Sequence, residues 1–473
     1  MNALTANKIV IGKTNKMVFL TLLSLVLFFI SIEEGMFWDN VLFASKMGNH
    51  IYKNGLFNWT IPDSFDPGHP PFLAFIQALG WKLFGKSLWV SHLVMLPFLF
   101  GLLLQLWRFV SFFSDKVIYQ RLAFCLLIVD PTFMAQLVLI NPEVIQLFFF
   151  FLGLNAIFYK QNIFKALSLA FLGIVTYRGM MLFAGLALFD FLLHTIIEKR
   201  SLISFFSRKT ILIYVIAATP AFVYIIWRLT TKGWLQTHPQ SPWAHLWHFV
   251  TLKEFGRNII VLTQRFADFG RCFVFLLLAF FLFWQRKWLQ QKSVKTLLLL
   301  AICGTFFIIV VSIFSTNEMG HRYFIVAYLA SILLAFEIIK QHPYFKQFYG
   351  FLLVALLTGN LWIYPTDFAQ GWDASLAHMP YFSLREKAIQ YLDEKNIPIE
   401  QVATFFPNES TIDDVSLNGD QRSFTAFTDT SKYVFVSTVF NLSDKELSTI
   451  HVSFDTIQSF QKNRISVTIL KHK

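Results

Sequence analysis

Apolar tracts recur along the first three quarters of the chain, near residues 17–32, 88–107, 122–140, 144–159, 166–177, 179–197, 211–227, 272–284, 296–314, 323–339 and 347–364. Most reach the 17–25 residues a helix needs to cross a bilayer once flanking residues are included, those at 166–177 and 272–284 being short. A further tract, Phe72 to Phe84, is ambiguous between a span and a helix lying at the interface. After residue 364 the pattern changes. Leu384 to Asn396 has helical periodicity, while Gln401–Phe406, Lys432–Val439 and Ile465–Leu470 read as strands. The predicted architecture is an all-α polytopic membrane domain over 1–364, with about eleven transmembrane helices, and a small soluble α/β domain over 365–473. The membrane domain has two long outer loops, 33–87 with interfacial helices and 228–271. Trp234, Trp243 and Trp247 suit the second to an interface.

Charge orders these tracts. With the N-terminus inside and 72–84 at the interface, the inner loops hold Arg108, Lys116, Arg121, Lys160, Lys165, Lys199, Arg200, Arg208, Lys209, Arg286, Lys287, Lys292, Lys295, Lys340 and Lys346. That is the positive-inside pattern, and counting 72–84 as a span inverts it. Acids distribute the opposite way. Of the 14 Asp and Glu before residue 365, nine (Glu33, Glu34, Asp39, Asp63, Asp66, Glu143, Glu254, Asp268 and Glu318) fall in predicted outer loops, and only Asp115 and Glu198 fall in inner ones. The net charge of +12 splits into +16 before residue 365 and −4 after it. The basic excess therefore belongs to the membrane part, which points to topology and phospholipid contact and away from nucleic acid. Composition agrees: 55% of residues are hydrophobic, Phe occurs 57 times, and mean hydropathy is +0.54. Cys125, Cys272 and Cys303 sit in apolar tracts and read as small hydrophobes. No small-x-small cleavage site follows the first tract, so it reads as a retained helix.

Four outer clusters could carry chemistry. Glu33-Glu34-Gly35-Met36-Phe37-Trp38-Asp39-Asn40 follows the first helix, where partial burial would raise an acid toward the range of a general base. The alternative is that Glu33 and Glu34 end a helix in water. Asp66-Pro67-Gly68-His69-Pro70-Pro71 holds His69 ahead of the Phe72 helix, in a structural role or a substrate-facing one. Asn141-Pro142-Glu143 is a tight outer turn that pins Glu143 at the surface, unless Glu143 only complements a helix dipole. Asp130, deeper in the preceding tract, is costly there and a functional candidate, or a partner for backbone freed by Pro131. Arg178 follows Tyr177 at one outer turn, and His321 and Arg322 lie in Asn317–Tyr323 at another. They are suited to a phosphate or to snorkelling among headgroups.

In this order the pieces resemble the GT-C integral-membrane glycosyltransferases, in particular the protein O-mannosyltransferase and lipid A aminoarabinose transferase branch. The resemblance covers about Met17 to Tyr364. It rests on Trp38-Asp39-Asn40, Gly68-His69-Pro70-Pro71-Phe72 with Phe84-Gly85, Asp130-Pro131 with Asn141-Pro142-Glu143, and Arg322-Tyr323. It implies a polyprenyl-phosphate-linked sugar donor, membrane lipid contacts, and transfer to a protein, lipid or glycan acceptor on the extracytoplasmic face of a bacterial inner membrane. Asp39 matches the family's catalytic base, followed here by Asn40 where Glu is usual. Glu143 stands where Asp is frequent. On this reading Asp39 and Glu143 are catalytic, and His69, Asp66, Arg178, His321, Arg322 and Glu34 bind substrate. The resemblance fixes no cofactor and leaves metal use open. Asp39, His69 and Glu143 are residue types that bind a divalent cation, but no ligand spacing demands one. A multi-spanning transporter or flippase is the rival reading. It would place ionisable groups near the midplane and often carry repeats, whereas Asp130 is the one strong mid-span acid and no repeat is visible. A catalytically inactive scaffold binding through its tail is a third.

Overall fold

The computed structural model describes residues 3–473 apart from 245, 318 and 367, with side chains described from residue 15 onward. Glu318 and the side chains of Lys8 and Lys13 thus lie outside the described residues. Each of the eleven apolar tracts is helical, but eleven full spans are not confirmed among the described residues. Among the described residues, five helices are long and apolar enough to cross a membrane: Leu88–Phe113, Tyr177–Ile197, Arg208–Lys232, Lys292–Phe314 and His321–Ile339. Two further pairs qualify only as bent units, Val117–Ile128 with Pro131–Val138 (77°) and Leu252–Ala267 with Arg271–Trp284 (92°). The first helix, Ala3–Ser31, runs 29 residues, its apolar part being Asn15–Ser31, whereas Pro142–Phe158, Asn162–Val175 and Phe345–Gly359 are apolar but only 14–17 residues long. At 1.5 Å per residue such helices fall short of a hydrocarbon core about 30 Å thick. Phe72–Phe84 is a 13-residue helix closed by Gly85 at φ +88°.

The two bends are pinned together by one buried ion pair. Asp130 caps the helix Pro131–Val138 by accepting from the Phe133 N–H at 2.9 Å, and its other oxygen takes Arg271 at 3.1 Å. Arg271, which opens the helix Arg271–Trp284, also donates to the Thr132 hydroxyl at 2.9 Å and stacks 4.0 Å over Tyr328. Neither charged side chain is more than 1% exposed. The placement of Asp130 deep within a continuous span is therefore corrected. The chain turns at Asp130, and Thr132 and Gln136 of the turned helix bond the backbone carbonyls of Ala374 and Asp373 in the tail.

The tail folds around a five-stranded sheet in the order β2-β1-β3-β5-β4, where β1 is Val402–Thr404, β2 Thr425–Ala426, β3 Tyr433–Ser437, β4 Phe454–Lys462 and β5 Ile465–His472. β1 runs parallel to β2 and β3, and β5 runs antiparallel to β3 and β4. The helix Pro380–Glu394 packs its apolar face on this sheet. The inner side is built from Val402, Val434, Ile465, Val467 and Ile469, all fully buried. The β2 and β4 strands escape the sequence pattern: β2 has two residues, and β4 is mostly exposed and polar, so neither shows apolar alternation.

The tail docks on the loop that follows the first helix. Phe37 joins the tail's core and stacks on His378 at 4.7 Å. The Met36 N–H donates to the Val415 carbonyl at 2.9 Å, and Lys86 pairs with Asp413. Gly35 is needed there, because an added Cβ would lie 2.8 Å from the Val415 oxygen.

Candidate active site

Several helix ends meet at one end of the bundle. Pro142–Phe158 begins there, capped by Asn141 accepting from Val144 N–H at 3.0 Å; Tyr177–Leu192 also begins there, capped by Thr176 accepting from Gly179 N–H at 3.1 Å. The segment His321–Phe324 leads into the helix Ile325–Ile339, and Asn15–Ser31 ends nearby. Helix N-termini carry partial positive charge and favour an anion in front of them. The predicted inner residues occupy the other end. Arg108 there bonds Gln161 at 3.1 Å, Lys165 bonds Asp190 at 2.8 Å, and Lys340 pairs with Glu337.

Each nitrogen of the Arg322 guanidinium faces a different carboxylate. Nη2 bonds Asp39, Nη1 bonds Asp373, and Nε stands 3.2 Å from Glu143 Oε1 without hydrogen-bond alignment. The same Glu143 oxygen accepts from Arg178 Nη2 at 2.8 Å. Tyr323 lies beneath both cations, 4.0 Å from the Arg178 guanidinium and 5.6 Å from that of Arg322. Exposure of these side chains is 20% for Asp39, 12% for Asp373, 9% for Arg322 and 6% for Glu143. The three acids and two arginines sum to −1. Between Glu143, Arg178, Arg322 and Tyr323 lies a cleft of about 20 Å³, room for about one water. The rest of its lining is Gln146 and the apolar Leu147, Leu182, Ile308, Ile325 and Val326.

Local backbone sets Asp39. Trp38 holds φ at +51°, a left-handed conformation costly for an aromatic residue. The chain then enters the π-helical turn Val41–Lys46, with the Asp39 carbonyl accepting from the Leu42 and Phe43 N–H groups. Such turns cluster at functional sites.

Of the eight residues read from the sequence, Asp39, Glu143, Arg178 and Arg322 make this array. His69 stands beside it, with Nδ1 accepting from the Tyr177 N–H at 3.3 Å. Burial, and then the charges of Arg178, Arg228 and Arg322, hold it well below the usual histidine range, so it is a neutral imidazole. The other three lie elsewhere. Asp66 is fully buried and engages Arg228, with both oxygens 3.1 Å from Nη2, and the Gly68 N–H at 2.8 Å. It ties the first outer loop to the second. Gly68, at φ +84°, allows the close crossing, since a Cβ there would meet the Gln236 oxygen at 2.7 Å. His321 points away from Arg322 and bonds Asp268 at 2.7 Å, and Tyr364 donates to the other oxygen of Asp268 at 2.5 Å. Glu34 faces the tail near Lys462 and Glu386, and burial pushes its carboxyl up to about 8. Asp39, His69 and Glu143 do not come together as a ligand set. The two carboxylates engage Arg322, and among the described residues no group of three or more His, Cys, Asp and Glu is arranged around a metal position.

Asp373 was not read from the sequence, nor was a role for Tyr323. Asp373 lies outside the family motifs, yet it shares one local signal with Asp39: each follows a Trp, in Trp38-Asp39 and Trp372-Asp373.

Neither family models nor curated proteins match the sequence. Solved structures do. ArnT from Cupriavidus metallidurans bound to undecaprenyl phosphate superposes with a TM-score of 0.53 at 12% identity, over 96% of this chain and 98% of that one. The chain has the fold of ArnT. The apo state of ArnT gives 0.51 at 11% identity, over 97% and 98%. The arabinofuranosyltransferase AftD from Mycobacteria gives 0.47 at 11%, over 97% of this chain and 40% of that one. The likeness to ArnT includes the tail, which the sequence motifs leave uncovered.

Proposed function

We propose that this protein is a glycosyltransferase that moves a sugar from a polyprenyl-phosphate-linked donor to a protein, lipid or glycan acceptor at the extracytoplasmic face of a bacterial inner membrane. The observation that carries this reading is the junction at Arg322. A carboxylate suited to take a proton and two arginines suited to hold a phosphate meet at helix N-termini above the cleft's apolar residues. The fold is that of ArnT, one structure of which is bound to undecaprenyl phosphate.

In the reaction, Asp39 accepts the proton of the acceptor hydroxyl or amine as its oxygen or nitrogen bonds to the anomeric carbon. The bond from that carbon to the phosphate oxygen breaks on the opposite face, with inversion, and the electron pair leaves on the prenyl phosphate. Arg178 and Arg322 neutralise that charge. Glu143, which bridges the two arginines, fixes their separation, and neutral His69 orients the donor sugar. A phosphate leaves as an anion, so no strong acid is needed, in contrast to glycoside hydrolysis. The tail stands over the same face. A transporter is less well supported: the ionisable groups gather at the bundle's two ends, and Asp130 is neutralised by Arg271.

The test is mass spectrometry of envelope lipids and glycans in cells carrying the wild-type gene, no gene, or Asp39→Asn at equal protein level. The expected result is loss of one sugar from one acceptor class, with a rise in the sugar-loaded polyprenyl phosphate, in both the deletion and Asp39→Asn. Wild-type glycans in Asp39→Asn cells would refute the proposed base.

A further inference from the structure

The array around Arg322 is complete as it stands: its three nitrogens face three carboxylates, and the cleft beside it admits about one water. A donor phosphate needs at least one of those nitrogens. Adding a singly charged phosphodiester to a group already at −1 gives −2 in a half-buried place, which is unfavourable unless a carboxylate withdraws.

The three carboxylates are not equivalent. Glu143 is held by Arg178 as well as Arg322, so it stays paired if Arg322 is taken. Asp39 sits on a strained turn inside the bundle and, on the reading above, must remain in place to take a proton. Asp373 belongs to the tail, and among the described residues its carboxylate has Arg322 as its one hydrogen-bond partner. Its backbone is fixed, because the Asp373 and Ala374 carbonyls accept from Gln136 and Thr132 of the turned helix at 2.7 and 3.2 Å. A side-chain rotation alone therefore moves the carboxylate on and off Nη1.

We propose that the Asp373 carboxylate occupies the donor phosphate's position on Arg322 and is exchanged for it. This rests on the glycosyltransferase reading and adds a specificity-determining residue to it. Asp373 holds Arg322 in register with Asp39 between turnovers. It also sets a threshold, since only an anion that brings further binding energy, such as that of a prenyl chain, displaces it.

The test measures binding of undecaprenyl phosphate to the purified full-length protein in detergent for wild type, Asp373→Asn and Asp373→Glu. Removing the competing charge is expected to tighten binding about tenfold in Asp373→Asn, the scale of one charge-assisted hydrogen bond. Asp373→Glu, which keeps the competitor, stays within about threefold of wild type. A residue that merely supports the site would give the opposite sign, weaker binding on substitution. Equal or weaker binding by Asp373→Asn, with wild type binding normally, overturns the exchange and leaves the glycosyltransferase reading intact. No binding by wild type or either variant overturns both. Should Asp373→Asn fail to fold, the wild type still decides. Its Arg322 guanidinium nitrogen resonances should shift when undecaprenyl phosphate is added, and unchanged resonances at saturation count against exchange.

Discussion

Arg322→Lys keeps the charge of the central cation and removes its fork. In the native array Nη1, Nη2 and Nε address Asp373, Asp39 and Glu143 respectively. A single ammonium at the end of a flexible chain holds one of Asp39 and Asp373 firmly and leaves the other without its partner, while Glu143 keeps Arg178. Buried charge-assisted contacts contribute about 1.5–3 kcal/mol each, less where a side chain is as open to water as Asp39. Losing one corresponds to about 1–3 kcal/mol, or about 5- to 150-fold in rate, if the loss falls on the transition state in which phosphate charge develops. The assay is release of free polyprenyl phosphate from a sugar-loaded donor by purified enzyme, with thermal unfolding in the same detergent to separate misfolding from slow chemistry. A folded Arg322→Lys protein within about threefold of wild-type turnover would refute the role given to the fork.

Arg271→Met removes one member of a fully buried pair and strands Asp130 between the two bent helices. The expected loss is about 3–5 kcal/mol in reversible unfolding, much of it recovered in Asp130→Leu/Arg271→Met, because an absent pair costs less than half of one. An Arg271→Met protein as stable as wild type would contradict the pinning of the bends. Glu34→Gln addresses pH. Folding raises the Glu34 carboxyl to about 8, so the folded protein binds the extra proton and its stabilising contribution is lost as pH rises from the ordinary carboxylate range through 8. Glu34→Gln should flatten the decline in melting temperature between pH 5 and 8 and melt higher than wild type at pH 8; identical pH profiles would refute it.

The sequence exposed elements whose signal is local. Apolar runs marked most helices of the bundle but not Leu252–Ala267, which lies in the stretch 228–271 read as an outer loop, and the Pro and Asn caps marked the turns that hold Glu143 and lead from His69. Their lengths as spans were less legible, because a run such as 122–140 reads as continuous while Asp130 and Pro131 turn the chain within it. Asp39, Glu143, Arg178 and Arg322 were found because each stands at a helix end in loops predicted to be outer. Their pairings were not, since Arg322 and Asp39 are 283 residues apart and Arg271 and Asp130 are 141 apart. No periodicity reports contacts of that span. The same distance explains Asp66 and His321. Both carry site-type side chains in outer loops, and only the fold shows that Arg228 and Asp268 already engage them. Asp373 was hidden because the tail has no motif, although the tail supplies a third of the acids around Arg322.

The most direct test of a sugar transfer centred on Asp39 follows phosphorus. Purified protein is mixed with sugar-loaded polyprenyl phosphates and an envelope extract as acceptor, and phosphorus NMR distinguishes the donor diester from the released monoester. Wild type should convert diester to monoester with at least one donor, and Asp39→Asn should leave it intact while still binding undecaprenyl phosphate. Conversion by Asp39→Asn at the wild-type rate, or an unchanged diester with wild type across every donor, would contradict the account.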